Sequence, residues 1–198
     1  MSMNLVTVAT GHSTPPVTTV KTMANIYVVS DTHFGHANIL RFTGVNGVTL
    51  IRPQFTSVAE MDQYMVQKWN SIVRPEDHIY HLGDLTLDKQ ARPDFVRLVR
   101  SLVGHKRLIL GNHDKMDVRD YREMGFQKVM AYRYFDRDTV LSHVPLHPFS
   151  VGHRVNIHGH IHEKDSPPGR YVNVSVEKWD YTPQLLSYMK EVGMKRDA

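Results

Sequence analysis

The sequence predicts an α/β layered fold, and three observations carry that expectation. Short apolar runs (residues 26–29, 78–82 and 107–110) alternate with helical stretches through the first half. Each run ends on potential ligands: Asp31-Thr32-His33, Gly83-Asp84 and Gly111-Asn112-His113-Asp114. Open α/β sheets place their ligands beyond the carboxyl ends of the strands, which is where these clusters fall. In the second half, close-spaced strand patterns with few helical signals predict antiparallel pairing.

With 198 residues, 41% of them hydrophobic, the chain can bury one good core, so a single domain is expected over 23–198. Residues 1–22 are rich in Thr, Val and Ser, carry Pro15-Pro16 and show no sustained period, so they read as a flexible N-terminal extension. Met23 then reads as an alternative start. A secretory signal is not expected, because there is no basic start and the apolar stretch is too short. No segment approaches the length of a membrane span. The net charge of +4 is modest and its basic residues are scattered, so nucleic acid is not indicated as a partner.

The chain has no cysteine, which fits a reducing cytoplasm, the expected location. It also rules out disulfides and thiolate metal sites. Thirteen histidines are the unusual feature. Any transition-metal site must therefore use imidazole and oxygen, a set suited to Zn, Fe, Mn or Ni.

Ile26-Tyr27-Val28-Val29 is made of strand formers, apolar throughout, as expected of a strand covered on both faces. In extended chain, positions two apart point the same way, so Asp31 and His33 can reach one ion. The plainer alternative makes Asp31 a helix cap and His33 a surface residue. A loop over 43–55 carries Asn46-Gly47, a hairpin-turn signal. Ser57 with Glu60 three residues on reads as a capping box. The helix behind it reaches about residue 73, with Met61, Met65, Trp69 and Ile72 on one face. That stripe is core packing, and Pro75 ends the helix.

The strand over 78–82 leads to Gly83-Asp84, and Pro93 starts a helix to about residue 103. The strand into Gly111 follows, then a short helix over 117–124. Strands are expected at 128–135, 139–142, 154–157 and 171–176, and a closing helix at 183–192. His143 ends one of these strands. His158, His160 and His162 alternate around another, with Gly159 allowing a sharp bend. His158 reads as a buried structural histidine.

Asp-x-His, Gly-Asp, Gly-Asn-His-Asp, a lone His and Gly-His-x-His, in that order over about 26–176, resemble the calcineurin-like metallophosphoesterase superfamily. Ser30-Asp31-Thr32-His33-Phe34-Gly35-His36 and His81-Leu82-Gly83-Asp84 further resemble its small stand-alone bacterial and phage members. The resemblance implies a four-layer α/β/β/α sandwich, with two mixed central sheets flanked by helices. It also implies a metal-dependent phosphoesterase with two divalent ions, manganese favoured. Asp31, His33 and His162 would hold one ion, Asn112, His143 and His160 the other, and Asp84 would bridge them. Two ions about 3.5–4 Å apart can share a water, acidify it and clamp an in-line displacement by the bridging hydroxide.

His113 is left as the non-ligand, and the resemblance implies that this histidine beside the ligating Asn is the catalytic residue, stabilising the transition state or protonating the leaving oxygen. Asp114 would orient it, or else make a structural turn contact. His36, Asn38 and Arg41 offer phosphate contacts, against the plainer reading of surface residues on a short helix. Phosphoprotein phosphatases of the superfamily carry Asp-Arg-Gly after Gly-Asp, whereas Leu85-Thr86-Leu87-Asp88 stands here. With the compact Gly-His-x-His, this favours phosphodiesters, of a nucleotide or cyclic nucleotide. A phosphomonoesterase on a nucleotide or small phosphate ester, and a non-catalytic scaffold of the same fold, are the competing readings.

Overall fold

Apolar side chains on both faces of the first three strands set the layers. In the computed structural model, which describes residues 23–196, β1 (Ile26–Val29), β2 (His78–His81) and β3 (His105–Ile109) pair in parallel. Tyr27, Val29, Ile79 and Leu108 face one core with Met61, Met65 and Trp69 of α1 (Val58–Ile72) and Phe95 and Val99 of α2 (Pro93–Ser101). Val28, Tyr80 and Ile109 face a second core, shared with Leu141, Val155, Ile157 and Val172. Successive strand side chains point to opposite faces, so each strand feeds both cores. The expected N-terminal extension lies outside the described residues.

The first sheet runs β4-β3-β2-β1-β9, with β4 (Lys128–Met130) parallel to β3 and β9 (Gln184–Leu185) antiparallel to β1. The second runs β5-β6-β7-β8, formed by Tyr132–Tyr134, Thr139–Ser142, Val155–His158 and Tyr171–Asn173. The short helix α3 (Val118–Glu123), capped by Asp117, joins the layer of α1 and α2 through buried Tyr121. The loop before α4 (Pro148–Val151) is bonded to the second sheet. There the Leu146 N–H donates to Asn156 Oδ1 and the Tyr171 hydroxyl donates to the Leu146 carbonyl. The chain closes with α5 (Leu186–Lys195), seated on β7, β8 and β1. This is the four-layer arrangement of two mixed sheets and helices.

Three local expectations are corrected. Only β5–β6 is antiparallel in the second sheet; β6–β7 and β7–β8 are parallel. Their connections over 143–154 and 159–170 are long enough to cross back without a long helix, which hid the topology from a pattern reading. The strand expected at 128–135 is two strands in different sheets, split at Ala131. The closing helix begins at Leu186, because Gln184 and Leu185 first pair with β1.

Of the other local signals, the Ser57 cap and the hairpin turn are met, whereas Asp31 and His33 reach the site from left-handed and not extended backbone. Ser57 Oγ accepts from the Glu60 N–H at 3.2 Å, while the Glu60 carboxylate turns to Thr56. Asn46 Oδ1 accepts from Val48 and Thr49 N–H in the hairpin turn, where Gly47 has φ +67°. Among the described residues no helix is long and apolar enough to cross a membrane.

Candidate metal centre

The ends of β1, β2 and β3 meet the ends of β6 and β7 at one edge of the two sheets, and two groups of side chains converge there. Donor atoms of Asp31, His33 and His162 lie within 4.8 Å of one another, as do those of Asp84, His143 and His160. Asn112 joins the second group, its Oδ1 lying 3.0 Å from His143 Nε2. Asp84 Oδ2 stands between the groups, 3.4 Å from His143 Nε2 and 3.8 Å from His33 Nε2.

The backbone bends sharply to bring them in. Asp31, His33, Asp84, His160 and His162 all have positive φ, between 50° and 72°. Only Asp180 and Tyr181 share that conformation among the other described non-glycine residues. Each such residue costs about 1–3 kcal/mol and persists where its surroundings over-determine it, typically at functional sites.

Glycine is needed here for room. A Cβ on Gly111 would fall on Asp84 Oδ1, and one on Gly159 on Ser30 Oγ and Asp31 Oδ2. The expected reason for Gly159, a sharp bend, is thereby corrected. Its φ is not positive; the left-handed turns are at His160 and His162, and Gly159 permits close approach.

Hydrogen bonds turn the free lone pairs inward. Asp31 Oδ2 accepts from the His160 N–H and the Ser175 hydroxyl, while Oδ1 is buried without a partner. Asp84 Oδ1 accepts from the His113 N–H at 2.9 Å. The His143 Nδ1–H donates to the Leu82 carbonyl and the His162 Nδ1–H to Glu177 Oε1, which leaves Nε2 of each as the lone pair. Both ring nitrogens of His33 are buried and unpartnered. Desolvated acceptors left unpaired cost about 1–3 kcal/mol each. Cations coordinated by one ring nitrogen of His33 and by Asp31 Oδ1 would satisfy those acceptors, so the residues present fit a metal centre.

Burial and neighbouring charge act on these side chains in both directions. Burial pushes the Asp31 carboxyl up and the His33 imidazole well down, with the nearby His162 adding to the fall at His33. Burial opposes ionisation of Asp84, but the hydrogen bond and charge of His143 hold its carboxyl well below the usual range. His143 and His162 are raised despite burial, through Asp84 and Glu177 respectively.

His113 is exposed at the rim, its ring 5.8 Å from that of His33. Asp114 does not hold that ring by any bond described. Its oxygens accept from the N–H groups of Asp84, Leu85 and Gly111, the structural turn contact. His158 stays outside both groups, bonded to the Gly159 carbonyl and Ser166, and burial lowers it to about 4. His36 precedes a short 3-10 helix (Ala37–Arg41) with its ring 5.9 Å from that of His33, whereas Asn38 and Arg41 are exposed.

Sequence reasoning passed over several supports. His81 is fully buried, accepts from the Gly83 N–H and lies 3.0 Å from Thr32 Oγ1, bracing the turn into Asp84. Ser175, Arg52 and Glu177 were equally silent, since a lone Ser, Arg or Glu carries no spacing signal.

The comparisons with known proteins point the same way. The family model described as calcineurin-like phosphoesterase matches residues 24–188. An uncharacterized Methanocaldococcus jannaschii protein is 34% identical over 172 residues, covering 83% of this chain and 88% of that protein. The gene 66 protein of Mycobacterium phage L5 is 31% identical over 93 residues, which is 46% of this chain and 41% of the phage protein. In fold, the crystal structure of an Aquifex aeolicus protein of unknown function superposes with a TM-score of 0.67 at 24% identity, over 86% of this chain and 100% of that one. The chain belongs to the calcineurin-like phosphoesterase family, and with its two ligand groups it is a metal-dependent hydrolase of phosphate esters.

Proposed function

We propose that the chain hydrolyses phosphodiesters of nucleotide or cyclic-nucleotide size with two divalent transition ions, manganese favoured. The observation that carries this reading is the position of Asp84 Oδ2 between two groups of inward-facing donor atoms. In it, Asp31, His33 and His162 would hold one ion, Asn112, His143 and His160 the other, and Asp84 would serve both. A carboxylate suits that role because it offers several lone-pair sites and a negative charge shared between cations. Two ions bound there supply charge for the phosphoryl oxygens and an acidified water.

The chain's own residues do the rest. The buried network around Asp31 and Asp84 fixes the donor atoms before substrate arrives, so little reorganisation is left for the reaction. His113, exposed beside the His33 ring, offers a proton to the departing ester oxygen. Asn112 is exposed as well, so the rim is open to a phosphate carrying ester groups on both sides. No arginine follows Gly83-Asp84 over 85–88; Leu85 there is fully buried in the first core and the Thr86 hydroxyl donates to the Phe34 carbonyl. That stretch serves packing and offers no clamp for a phosphoprotein monoester.

The test is a metal-by-substrate matrix on chelator-stripped protein, comparing bis- and mono-p-nitrophenyl phosphate and a cyclic nucleotide. Faster turnover of the diesters with Mn²⁺ is expected. Faster turnover of the monoester makes the protein a phosphomonoesterase, and no turnover with any ion makes it a binding scaffold.

A further inference from the structure

Arg52 enters from the hairpin loop before α1, far in sequence from every motif, yet its side chain is fully buried. Its Nη1 donates to the Thr32 carbonyl at 2.9 Å and its Nη2 to the Asp31 carbonyl at 2.6 Å. Its Nε and Nη2 both donate to Glu177 Oε1, at 2.9 and 2.7 Å, and Nη1 also meets Met61 Sδ. The Glu177 side chain is only 3% exposed, and the same Oε1 accepts from His162 Nδ1–H at 3.0 Å. One desolvated guanidinium thus spans the two left-handed turns at Asp31 and His33 and, through one carboxylate, the ring of His162.

Burying an ion pair completely is a poor route to stability, because desolvation offsets much of the attraction. Its fork geometry does suit holding several acceptors in one arrangement. Glu177 also decides which nitrogen of His162 carries the proton, leaving Nε2 free to ligate. The other group is held differently. His143 is fixed by the Leu82 carbonyl and Asp84 by the His113 N–H, with neither bonded to Arg52 or Glu177.

We propose that Arg52 and Glu177 are positioning residues that shape the Asp31–His33–His162 group for its cation, and serve that group alone. This rests on the two-ion reading above. The ligand concerned is a divalent transition ion, and the effect is on its affinity before any substrate binds.

The experiment is equilibrium dialysis of the full chain against graded Mn²⁺, followed by metal analysis, for wild type, Glu177→Gln and Arg52→Lys. Circular dichroism reports folding alongside. Wild type should take up two ions. Each variant should bind one ion as wild type does and the other about 10–100-fold more weakly. In a His162→Ala background, Glu177→Gln should add little further loss, because its effect passes through that ring. Glu177→Gln changes no volume, so it decides the matter if Arg52→Lys fails to fold.

Equal weakening of both ions, unchanged affinity, or an undiminished effect of Glu177→Gln in His162→Ala would overturn the proposal. A wild type that binds only one ion would sink the two-ion reading instead. The positioning role would survive that result if Glu177→Gln still weakened the single ion through His162.

Discussion

The backbone N–H of His160 donates to Asp31 Oδ2 at 2.9 Å, a bond that joins the edge of the second sheet to the edge of the first. It occupies one carboxylate oxygen and leaves the other, Oδ1, buried and facing the ligand cluster. The Cβ that Gly159 lacks would fall on this same carboxylate. The Gly-His-x-His motif therefore supplies two rings and also closes the two sheets over Asp31. Its compactness is a packing requirement as much as a ligand spacing.

Metal stoichiometry distinguishes the bridging residue from a residue of one group. Asp84→Asn should weaken binding at both positions, since its Oδ2 stands beside both groups, whereas His33→Ala should weaken mainly one. Two tightly held ions in Asp84→Asn, counted by metal analysis, would exclude a bridge.

Ion preference follows from donor chemistry. Four of the donors brought together are imidazoles: His33, His162, His143 and His160. Chelation should abolish turnover, and Mn²⁺ or Zn²⁺ should restore it where Ca²⁺, which favours an all-oxygen shell, does not. Full restoration by Ca²⁺ alone would speak against imidazole ligation.

Gly111→Ala probes how tightly Asp84 is held. The new Cβ would fall on Asp84 Oδ1 and clash with the Asp84 backbone N, so the carboxylate and the backbone that carries it must shift. A displacement of about 1 Å at a reacting centre can cost about 10²-fold in rate. Turnover should fall by that order, with lowered metal content and a near-native circular dichroism spectrum. A folded variant at full activity would show that Asp84 can move harmlessly.

How much of this was legible follows from what each feature depends on. The unbroken apolar run Ile26–Val29 exposed the first sheet, because that strand serves two cores and must be apolar on both faces. The motif residues were legible because their types carry chemistry at strand ends. Parallel pairing of β6, β7 and β8 was not, since pairing direction is set by how loops cross and leaves no mark in the strands themselves. Arg52 and Glu177 stand 125 residues apart and are joined only by the fold.

A buried carboxylate far from the site gives a pH prediction. Asp77 accepts from the Asn25 N–H, the Arg74 N–H and the Arg74 guanidinium, tying the start of β1 to the start of β2. The Arg74 hydrogen bonds outweigh burial and hold its carboxyl down at about 2. Its unfolded value is about 3.9. A depressed carboxylate contributes stability that is fully present above the unfolded value and is lost as pH falls through the folded one. Asp77→Asn should therefore lower the urea midpoint at pH 6, with about 1–3 kcal/mol lost from leaving buried donors poorly paired. The gap to wild type should narrow from about pH 4 towards pH 2. A gap constant across that range would mean that Asp77 acts through shape and not charge.

His113 separates chemistry from ligation. Its backbone N–H, not its ring, bonds Asp84 Oδ1, so His113→Ala leaves that support in place. The ring is exposed, and truncating it opens no core cavity. Metal content and folding should therefore match wild type. What is lost is help at the departing oxygen, worth about 10²–10⁴-fold for a positioned acid. That loss should track the leaving group. A nitrophenolate departs without a proton, so bis-p-nitrophenyl phosphate should be only mildly affected, while an alkyl or nucleoside diester should lose most of its rate. Equal losses on both substrates would point to a purely electrostatic contribution from the ring. Loss of an ion from the variant would make His113 a ligand and remove it from the leaving-group role.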